Sequence, residues 1–252
     1  RTTLPVRQPT WPSGPDSQTV DPMTRIRIAI DGLSASGKST LAQGLAKALN
    51  YLYIDSGAMY RAVALFALRE KLVDREGRLD EAGLVASLDR VFLTFRFNPA
   101  SGRGEICLNG RSVEKEIRTH EVSRCVSLIA KVGAVRDKLV KSQQQMAAAG
   151  GVVMDGRDIG TVVLPDAEVK FFMTASAEAR AGRRYAELLR RGRTVSLEDV
   201  RANLAERDHI DSTREQGPLK QAEDAVVIDN SDLSIEQQFE HMMSLVQERL
   251  NG

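Results

Sequence analysis

The chain has 252 residues, of which 42% are hydrophobic, and this is enough for one substantial core with at most a small subdomain. Its 35 basic and 34 acidic side chains give a formal net charge of +1, which argues against a general nucleic-acid binder because polyanion binders carry a clear basic excess. No apolar stretch approaches the length of a membrane span, and no secretory signal is visible.

The cysteines and histidines are few and scattered. Cys107 and Cys125 form no C-x-x-C motif, and the three histidines are far apart in the sequence. A disulfide framework or a protein-bound zinc cluster is therefore not expected. The composition favours a reduced, cytoplasmic protein.

The N-terminal stretch 1–22 carries five of the eight prolines. We interpret it as a disordered extension that precedes one folded unit, residues 23–252. On this interpretation Met23 is a candidate natural start, and Trp11 lies outside the fold.

Short apolar runs bounded by turns predict buried strands at 26–30, 51–54, 151–154, 168–173 and 225–228. Amphipathic stretches predict helices at 38–49, 57–71, 119–131, 133–149, 176–191, 196–210 and 234–250. Because strands and helices alternate, the sequence predicts an α/β fold with a parallel sheet covered by helices on both faces.

Residues 91–117 depart from this alternation. Apolar and polar residues alternate there, and Asn109-Gly110 is a strong hairpin signal. The segment predicts a small antiparallel sheet inserted into the α/β core.

A phosphate-binding loop follows the first predicted strand. Residues 32–40 match the pattern G-x-x-x-x-G-K-[ST], in which backbone N–H groups and a helix N-terminus surround phosphate oxygens. Lys38 can reach the β- and γ-phosphates, and the Ser39 hydroxyl suits a bound Mg²⁺. The loop alone leaves kinase, ATPase and switch GTPase open.

A second motif, Asp55-Ser-Gly-Ala-Met-Tyr-Arg61, follows the second strand. We expect Ser56 to cap the next helix and Arg61 to point a cation toward the crevice above the strand ends. The alternative is a helix cap followed by an ordinary surface arginine.

A third motif places Asp155, Arg157 and Asp158 just after an apolar strand, at the same sheet edge as the phosphate loop. Asp155 ends the strand, which is where phosphoryl-transfer enzymes hold a Mg²⁺-organising acid. The alternative is a plain Asp-Gly turn.

Two further segments are rich in charge. The stretch 178–193 predicts a mobile lid or, equally, a solvated helix with ion pairs, and its six arginines are Arg180, Arg183, Arg184, Arg190, Arg191 and Arg193. Farther on, Arg207, Asp211 and Arg214 share one helical face. They either form salt bridges or bind a phosphate and a sugar hydroxyl.

Together and in this order, the motifs resemble those of bacterial cytidylate kinases, in the nucleoside monophosphate kinase superfamily. The matching stretches are I-D-G-x-S-x-S-G-K-S-T, Y-I-D-S-G-A-M-Y-R, E-I-R-T-H-E-V at 116–122, D-G-R-D-I-G-T-V-V-L-P-D-A at 155–167 and E-R-D-x-x-D-x-x-R at 206–214. The resemblance covers essentially all of residues 23–250. Leu33 stands where members of the family often have Pro, and Ser39 where many have Gly. The second departure leaves open whether Ser39 or Thr40 supplies the main metal or phosphate hydroxyl.

The resemblance implies transfer of the γ-phosphoryl group of ATP to CMP, and also to dCMP, with Mg²⁺, in pyrimidine nucleotide metabolism. The implied fold is a P-loop kinase with a five-stranded parallel sheet. Its core is residues 23–60, 119–175 and 205–252, its acceptor-binding region with the inserted sheet is about 61–118, and its short helical lid is about 176–204. From the sequence itself we expect a cytoplasmic protein with no nucleic-acid or membrane partner, and a monomer, since nothing in the sequence demands a dimer.

The resemblance also implies residue roles. ATP is held by Gly32, Leu33, Ser34, Ala35, Ser36, Gly37, Lys38, Ser39 and Thr40. CMP is held by Asp55, Ser56, Arg61, Ser127, Arg136, Arg157, Asp158, Arg207, Asp211 and Arg214. Catalysis is assigned to Lys38, Asp155, Arg157, Arg183 and Arg184, with Mg²⁺ bound at Ser39 through ATP.

The base assignment has independent chemical support. Cytosine carries an exocyclic amine, which suits the Asp158 carboxylate, and two acceptors, which suit Arg136 and Ser127. Uracil would place a carbonyl against Asp158, so we expect CMP to be preferred over UMP by up to about 10⁴-fold. The rival hypotheses are a kinase for another nucleotide or for shikimate and a non-enzymatic nucleotide switch, although no N-K-x-D motif is present.

Overall fold

The computed structural model describes residues 25–74, 76–98 and 103–251. The predicted extension 1–22, Trp11 and Met23 lie outside these residues.

The described residues form eight strands: β1 Arg27–Gly32, β2 Leu52–Asp55, β3 Leu93–Asn98, β4 Arg103–Leu108, β5 Arg111–Ser112, β6 Val152–Asp155, β7 Val169–Thr174 and β8 Val226–Asp229. Five of them build a parallel sheet in the order β2-β6-β1-β7-β8. The predicted five-stranded parallel sheet is confirmed, and each predicted strand end lies within two residues of the observed one.

The helices of the described part are α1 Lys38–Leu49, α2 Ser56–Arg69, α3 Glu81–Ser87, α4 His120–Ile129, α5 Gly133–Ala147, α6 Ala177–Arg190, α7 Leu197–Thr213 and α8 Ile235–Asn251. All seven predicted helices are confirmed, with ends shifted by at most three residues. The sequence did not predict α3, which has 7 residues and buries only Leu84, so it leaves too little periodicity to detect.

Helices cover both faces of the sheet, as predicted. One face packs on α2, α4 and α5, and its sheet residues include Ala29 and Met154. The other packs on α1 and α8 through Ile28 and Ile30. Successive β1 residues thus alternate between two cores, which is why the strand is a continuous apolar run.

The predicted inserted sheet is confirmed as an antiparallel ladder in the order β3-β4-β5. Asn109 and Gly110 connect β4 to β5 with φ of 50° and 80°, the left-handed pair that a tight hairpin turn requires. Ile106 and Leu108 of β4 are buried in the first core, so the insert is packed onto the domain.

The sheet register brings the functional segments together. Asp155 is aligned with Ile30 on one side and with Asp55 on the other. The carboxyl ends of β1, β2 and β6 therefore share one edge, where a parallel sheet places its ligands. Within the described ranges, none of the helices is both long enough and apolar enough to cross a bilayer.

Candidate active site

A crevice of about 370 Å³ opens above the carboxyl ends of β1, β2 and β6. Eight cations line it, namely Lys38, Arg61, Arg118, Arg157, Arg184, Arg191, Arg207 and Arg214. Five carboxylates oppose them, namely Asp55, Asp155, Asp158, Glu187 and Asp211. The excess of positive charge suits a polyanionic ligand.

The phosphate loop joins β1 to α1, as predicted, and Ala35 to Thr40 line the crevice. Gly32, Leu33 and Ser34 do not line the wall. A Cβ on Gly32 would lie 1.9 Å from the main-chain oxygen of Met173, so only glycine fits where the loop leaves the sheet. Gly37 is the N-cap of α1 with φ of 92°, and it offers no side chain to the first amides of that helix. The amides of Lys38 and Ser39 are available to an anion, whereas that of Thr40 donates to the main-chain oxygen of Gly37 at 3.1 Å.

Lys38 is folded back into its own loop. Its Nζ donates to the main-chain oxygens of Gly32 at 2.9 Å and Leu33 at 2.7 Å. Burial, reinforced by the nearby Arg157, lowers the pKa of Lys38 to about 7. A phosphate oxygen replacing the neutral carbonyls would favour the charged ammonium.

Asp155 faces the first turn of α1. Its Oδ2 accepts from Ser39 Oγ at 2.8 Å, and its Oδ1 accepts from the Tyr53 hydroxyl at 2.8 Å. Burial, and next the neighbouring Asp55, raise the pKa of Asp155 to about 6. A hydroxyl beside a carboxylate is the oxygen set that Mg²⁺ accepts at phosphate sites, so Ser39 and Asp155 fit that ion.

The start of α2 corrects one prediction. Asp55, not Ser56, caps the helix, since its side chain accepts from Ala58 N at 2.8 Å. Ser56 is already the first helical residue, and its hydroxyl donates to the main-chain oxygen of Asp155 at 2.8 Å. Ser56 therefore ties α2 to β6 at the crevice. Arg61 lines the crevice as predicted.

Arginines crowd the side of the crevice formed by α2 and α7. Burial, followed by Arg157 and Arg61, lowers the pKa of Arg207 to about 10. Burial also lowers the pKa of Arg61, and Arg118, Arg157 and Arg184 act in the same direction against the opposing effect of Asp55. An anion bound among these guanidinium groups would offset their mutual repulsion.

Arg157 bridges this cluster to the phosphate loop. Its Nε donates to Asp211 Oδ2 at 2.7 Å, and its Nη2 donates to Ser34 Oγ at 3.0 Å. Asp211 also lies 3.7 Å from the Arg214 guanidinium. Arg214 itself follows the end of α7 in an extended conformation, so it does not share the helical face predicted for it.

Asp158 lies in a buried ion cluster. It pairs with Arg136 and lies 3.5 Å from Arg214. Arg136 Nη1 is the one buried polar side-chain atom of the described residues that lacks a hydrogen-bond partner. Arg136 borders an adjoining pocket between the α4–α5 turn and α7, whereas Ser127 of α4 lines the main crevice. These residues can present a carboxylate and donors to a planar polar group.

The two predicted lid arginines on α6 differ in position. Arg184 lines the crevice and pairs with Glu187 at 2.8 Å. Arg183 is not on the crevice wall; its guanidinium binds the Oδ1 of Asn230 at 2.7 Å and the main-chain oxygen of Asn230 at 2.6 Å.

Sequence reasoning assigned no role to several residues that shape the crevice. Arg118, inside the matched stretch 116–122, lines it and lies 3.6 Å from Asp55. Asp31, next to the phosphate loop, accepts from the main-chain N of Ile159 at 2.9 Å and of Gly160 at 2.7 Å. These contacts shape a π-helical turn, Ile159–Val163, that follows Asp158. Membership of a matched stretch was the only sequence signal for either residue.

Comparison with known proteins identifies a family from the sequence. The cytidylate kinase family profile matches residues 28–248. A cytidylate kinase from Flavobacterium johnsoniae is 55% identical over 224 residues, which is 89% of this chain and 97% of that protein. One from Phocaeicola vulgatus is 50% identical over 230 residues, covering 91% and 100%. Among solved structures, a shikimate kinase from Bacteroides thetaiotaomicron is 13% identical with a TM-score of 0.43, covering 90% of this chain and 99% of that one.

Proposed function

The chain belongs to the cytidylate kinase family and transfers the γ-phosphoryl group of ATP to CMP, and we propose that the crevice described above is where the two nucleotides meet. The observation that carries the proposal is the arrangement of two anion-binding regions in one crevice. The phosphate loop forms one region, and the arginines of α2 and α7 form the other. Two phosphate groups held face to face are what phosphoryl transfer between nucleotides requires.

The phosphate loop, residues 32–40, is the proposed ATP side. Its backbone amides and the start of α1 hold the β- and γ-phosphates, and Lys38 moves from the loop carbonyls onto a phosphate oxygen. Ser39 and Asp155 would hold Mg²⁺, which when bound neutralises charge on the phosphate oxygens. Thr40 lines the crevice beside Ser39.

The arginine cluster is the proposed CMP side. Arg61, Arg157 and Arg207 hold the acceptor phosphate, because their mutual repulsion is relieved by an anion. Asp55 and Ser56 fix the start of α2, from which Arg61 projects. Asp211 accepts a ribose hydroxyl with support from Arg157 and Arg214. We propose that dCMP is also used.

The base is proposed to lie against Ser127, Arg136 and Asp158. Arg136 Nη1 is buried without a partner, and a ring acceptor of cytosine would satisfy it. Asp158 is positioned by Arg136 and Arg214 and would accept from the exocyclic amine. Uracil offers no donor at that position.

Catalysis then needs no covalent intermediate. An oxygen of the acceptor phosphate attacks the γ-phosphorus in line, and the bond to the leaving ADP oxygen breaks. Lys38 and Arg157 stabilise the charge on the transferring group, with Arg184 acting from the crevice side of α6. Arg183, the other catalytic residue implied by the resemblance, is bound to Asn230 off the crevice wall and contributes indirectly. Regions 61–118 and 176–204 are proposed to close over the substrates, since water must be excluded from the γ-phosphate. A cytoplasmic monomer stays a prediction from the sequence.

The test is coupled ADP release measured in turn with CMP, dCMP, UMP, AMP, GMP and shikimate. We expect CMP and dCMP to be phosphorylated efficiently and UMP poorly. Equal kcat/KM for UMP and CMP would contradict the role given to Asp158. Efficient use of shikimate instead of CMP would contradict the assignment of the arginine cluster to a nucleotide phosphate.

A further inference from the structure

Asn230 directly follows β8 and is fully buried. Its Nδ2 donates to the main-chain oxygen of Ser36 at 2.6 Å and to Gln238 Oε1 at 2.8 Å. Its Oδ1 and its main-chain oxygen accept from the two Nη atoms of Arg183, at 2.7 and 2.6 Å. Its main-chain N donates to Thr174 at 3.0 Å. Every polar atom of this residue is therefore used.

The contact with Ser36 concerns the shape of the phosphate loop. A loop that turns successive N–H groups toward a phosphate turns carbonyl oxygens away from it, and a buried carbonyl needs a hydrogen-bond donor. Ser36 is fully buried. The next residue, Gly37, has left-handed φ, and a Cβ there would lie 3.7 Å from Asn230 Nδ2. Asn230 thus fixes the orientation of the peptide that leads into Lys38.

The contact with Arg183 connects the same residue to α6. The side-chain amide serves both neighbours, because it donates through nitrogen to Ser36 and accepts through oxygen from Arg183. A carboxylate could accept from Arg183 but could not donate to Ser36. Gln238 of α8 sets the orientation of the amide, since its Oε1 accepts from Asn230 while its Nε2 donates to Leu233 at 2.9 Å.

We propose that Asn230 is a positioning residue that holds the Ser36 peptide of the phosphate loop and couples it to the lid helix α6 through Arg183. Asn230 is not part of the crevice wall, so it acts through the loop and not on a nucleotide. The inference rests on the proposed role of residues 32–40 as the ATP side. On this inference Arg183 supports ATP binding by holding Asn230, without contacting ATP itself.

The test is Asn230→Asp, a near-isosteric change that keeps the acceptor for Arg183 and removes the donor for Ser36. We expect KM for ATP to rise about tenfold, as for loss of a buried hydrogen bond, while KM for CMP changes less than about twofold. Unchanged KM for ATP would overturn the proposal. So would an equal rise in both KM values, since that would indicate a general loss of structure.

Two further variants keep the test decisive. Ser231→Ala changes the neighbouring residue, which binds Ser176 and Asp229 but not the phosphate loop, and it should leave KM for ATP unchanged. Should Asn230→Asp fail to fold, Gln238→Met removes the acceptor that orients Asn230, and a rise of about threefold in KM for ATP is expected. No rise in that variant would overturn the proposal.

The coupling to α6 is tested with a double-mutant cycle. If Arg183 acts through Asn230, Arg183→Gln raises KM for ATP in the wild-type chain and adds little in an Asn230→Ala background. Additive effects would overturn the coupling. The variant Lys38→Ala tests the proposed role of residues 32–40 as the ATP side separately from the role of Asn230. Unchanged ATP kinetics in Lys38→Ala would contradict the role of the loop itself. A large loss of activity in Lys38→Ala, together with wild-type kinetics in Asn230→Asp, would contradict only the role of Asn230.

Discussion

The ATP side and the CMP side of the crevice are built in different ways. On the ATP side, buried groups hold the main chain: Asn230 binds Ser36 O, and Arg180 binds Ser34 O at 3.2 Å. On the CMP side, side-chain charges oppose and pair with one another. Burial, and next the neighbouring Arg157 and Arg61, lower the pKa of Arg207. Hydrogen bonds therefore fix the shape of the ATP side, whereas the CMP side carries uncompensated positive charge that a bound anion would neutralise. Substitutions should therefore affect the two sides through different kinetic constants.

The largest expected effect concerns Lys38, because we expect its ammonium group to stay in contact with the phosphoryl group as that group moves from ATP to CMP. Lys38→Ala should lower kcat about 10²–10³-fold, as expected for loss of a group that stabilises transition-state charge. Steady-state kinetics with saturating CMP and ATP measures it. Lys47→Ala, an exposed change on the same helix, is the control. Near wild-type kcat in Lys38→Ala would exclude Lys38 from the mechanism.

The next prediction tests how the CMP side recognises the base. Asp158→Asn should lower kcat/KM for CMP about 10²-fold and remove most of the preference over UMP. The amide oxygen would accept from the neighbouring arginines, which turns the NH2 group toward the cytosine amine. The measurement is kcat/KM for both nucleotides, taken well below the melting temperature of the variant, since the change leaves Arg136 and Arg214 less compensated. Asp137→Asn, at an exposed position of α5, should behave like the wild type.

Arg61→Lys tests whether geometry matters on the CMP side as well as charge. A lysine keeps the charge but lacks the planar fork, so KM for CMP should rise about tenfold while KM for ATP stays nearly constant. Arg69→Lys is the matched control, since Arg69 lies at the other end of α2 and pairs with Glu116. Unchanged CMP kinetics in Arg61→Lys would show that a point charge suffices there.

The smallest expected effect is a change in protonation. The pKa of Lys38 is lowered to about 7 by burial, so at pH 8 most of the ligand-free protein carries a neutral Lys38. Phosphate raises that pKa, and ATP binding at pH 8 should take up most of one proton. Calorimetric titrations in two buffers of different ionisation enthalpy measure the uptake. Zero uptake, or equal uptake by Lys38→Ala, would contradict this account.

The sequence predicted what depends on local pattern. The strands and helices of the sheet follow from apolar runs and helical periodicity, and Asn109-Gly110 predicted the hairpin because few residues adopt its backbone angles. The short helix α3 was not predicted, because it buries only one side chain and so leaves no helical periodicity in the sequence. Ser56 was taken for a helix cap because it is a good capping residue, but Asp55 precedes it and is equally good.

Most of the support around the crevice could not be predicted, because it joins residues that are far apart in the chain. Asp31 reaches Ile159, and Asn230 reaches Ser36, over separations of 128 and 194 residues. A single sequence gives no signal for such pairs, because membership of a motif does not show which distant segment a residue contacts. The charge-rich stretches left functional and solvated interpretations open, and only the packing distinguishes Arg184 on the crevice wall from Arg183 bound to Asn230.

The order of strands in the sheet has a consequence for synthesis. β1 lies between β6 and β7, and both come from the second half of the chain. While the ribosome makes the intervening residues, at roughly 5–20 per second, β1 stays without either neighbouring strand for on the order of 10 seconds, with its backbone edges unpaired and its apolar faces uncovered. The segment that carries Lys38 is therefore made early and completed late. During that interval we expect the nascent chain to depend on chaperones and to lack any affinity for ATP.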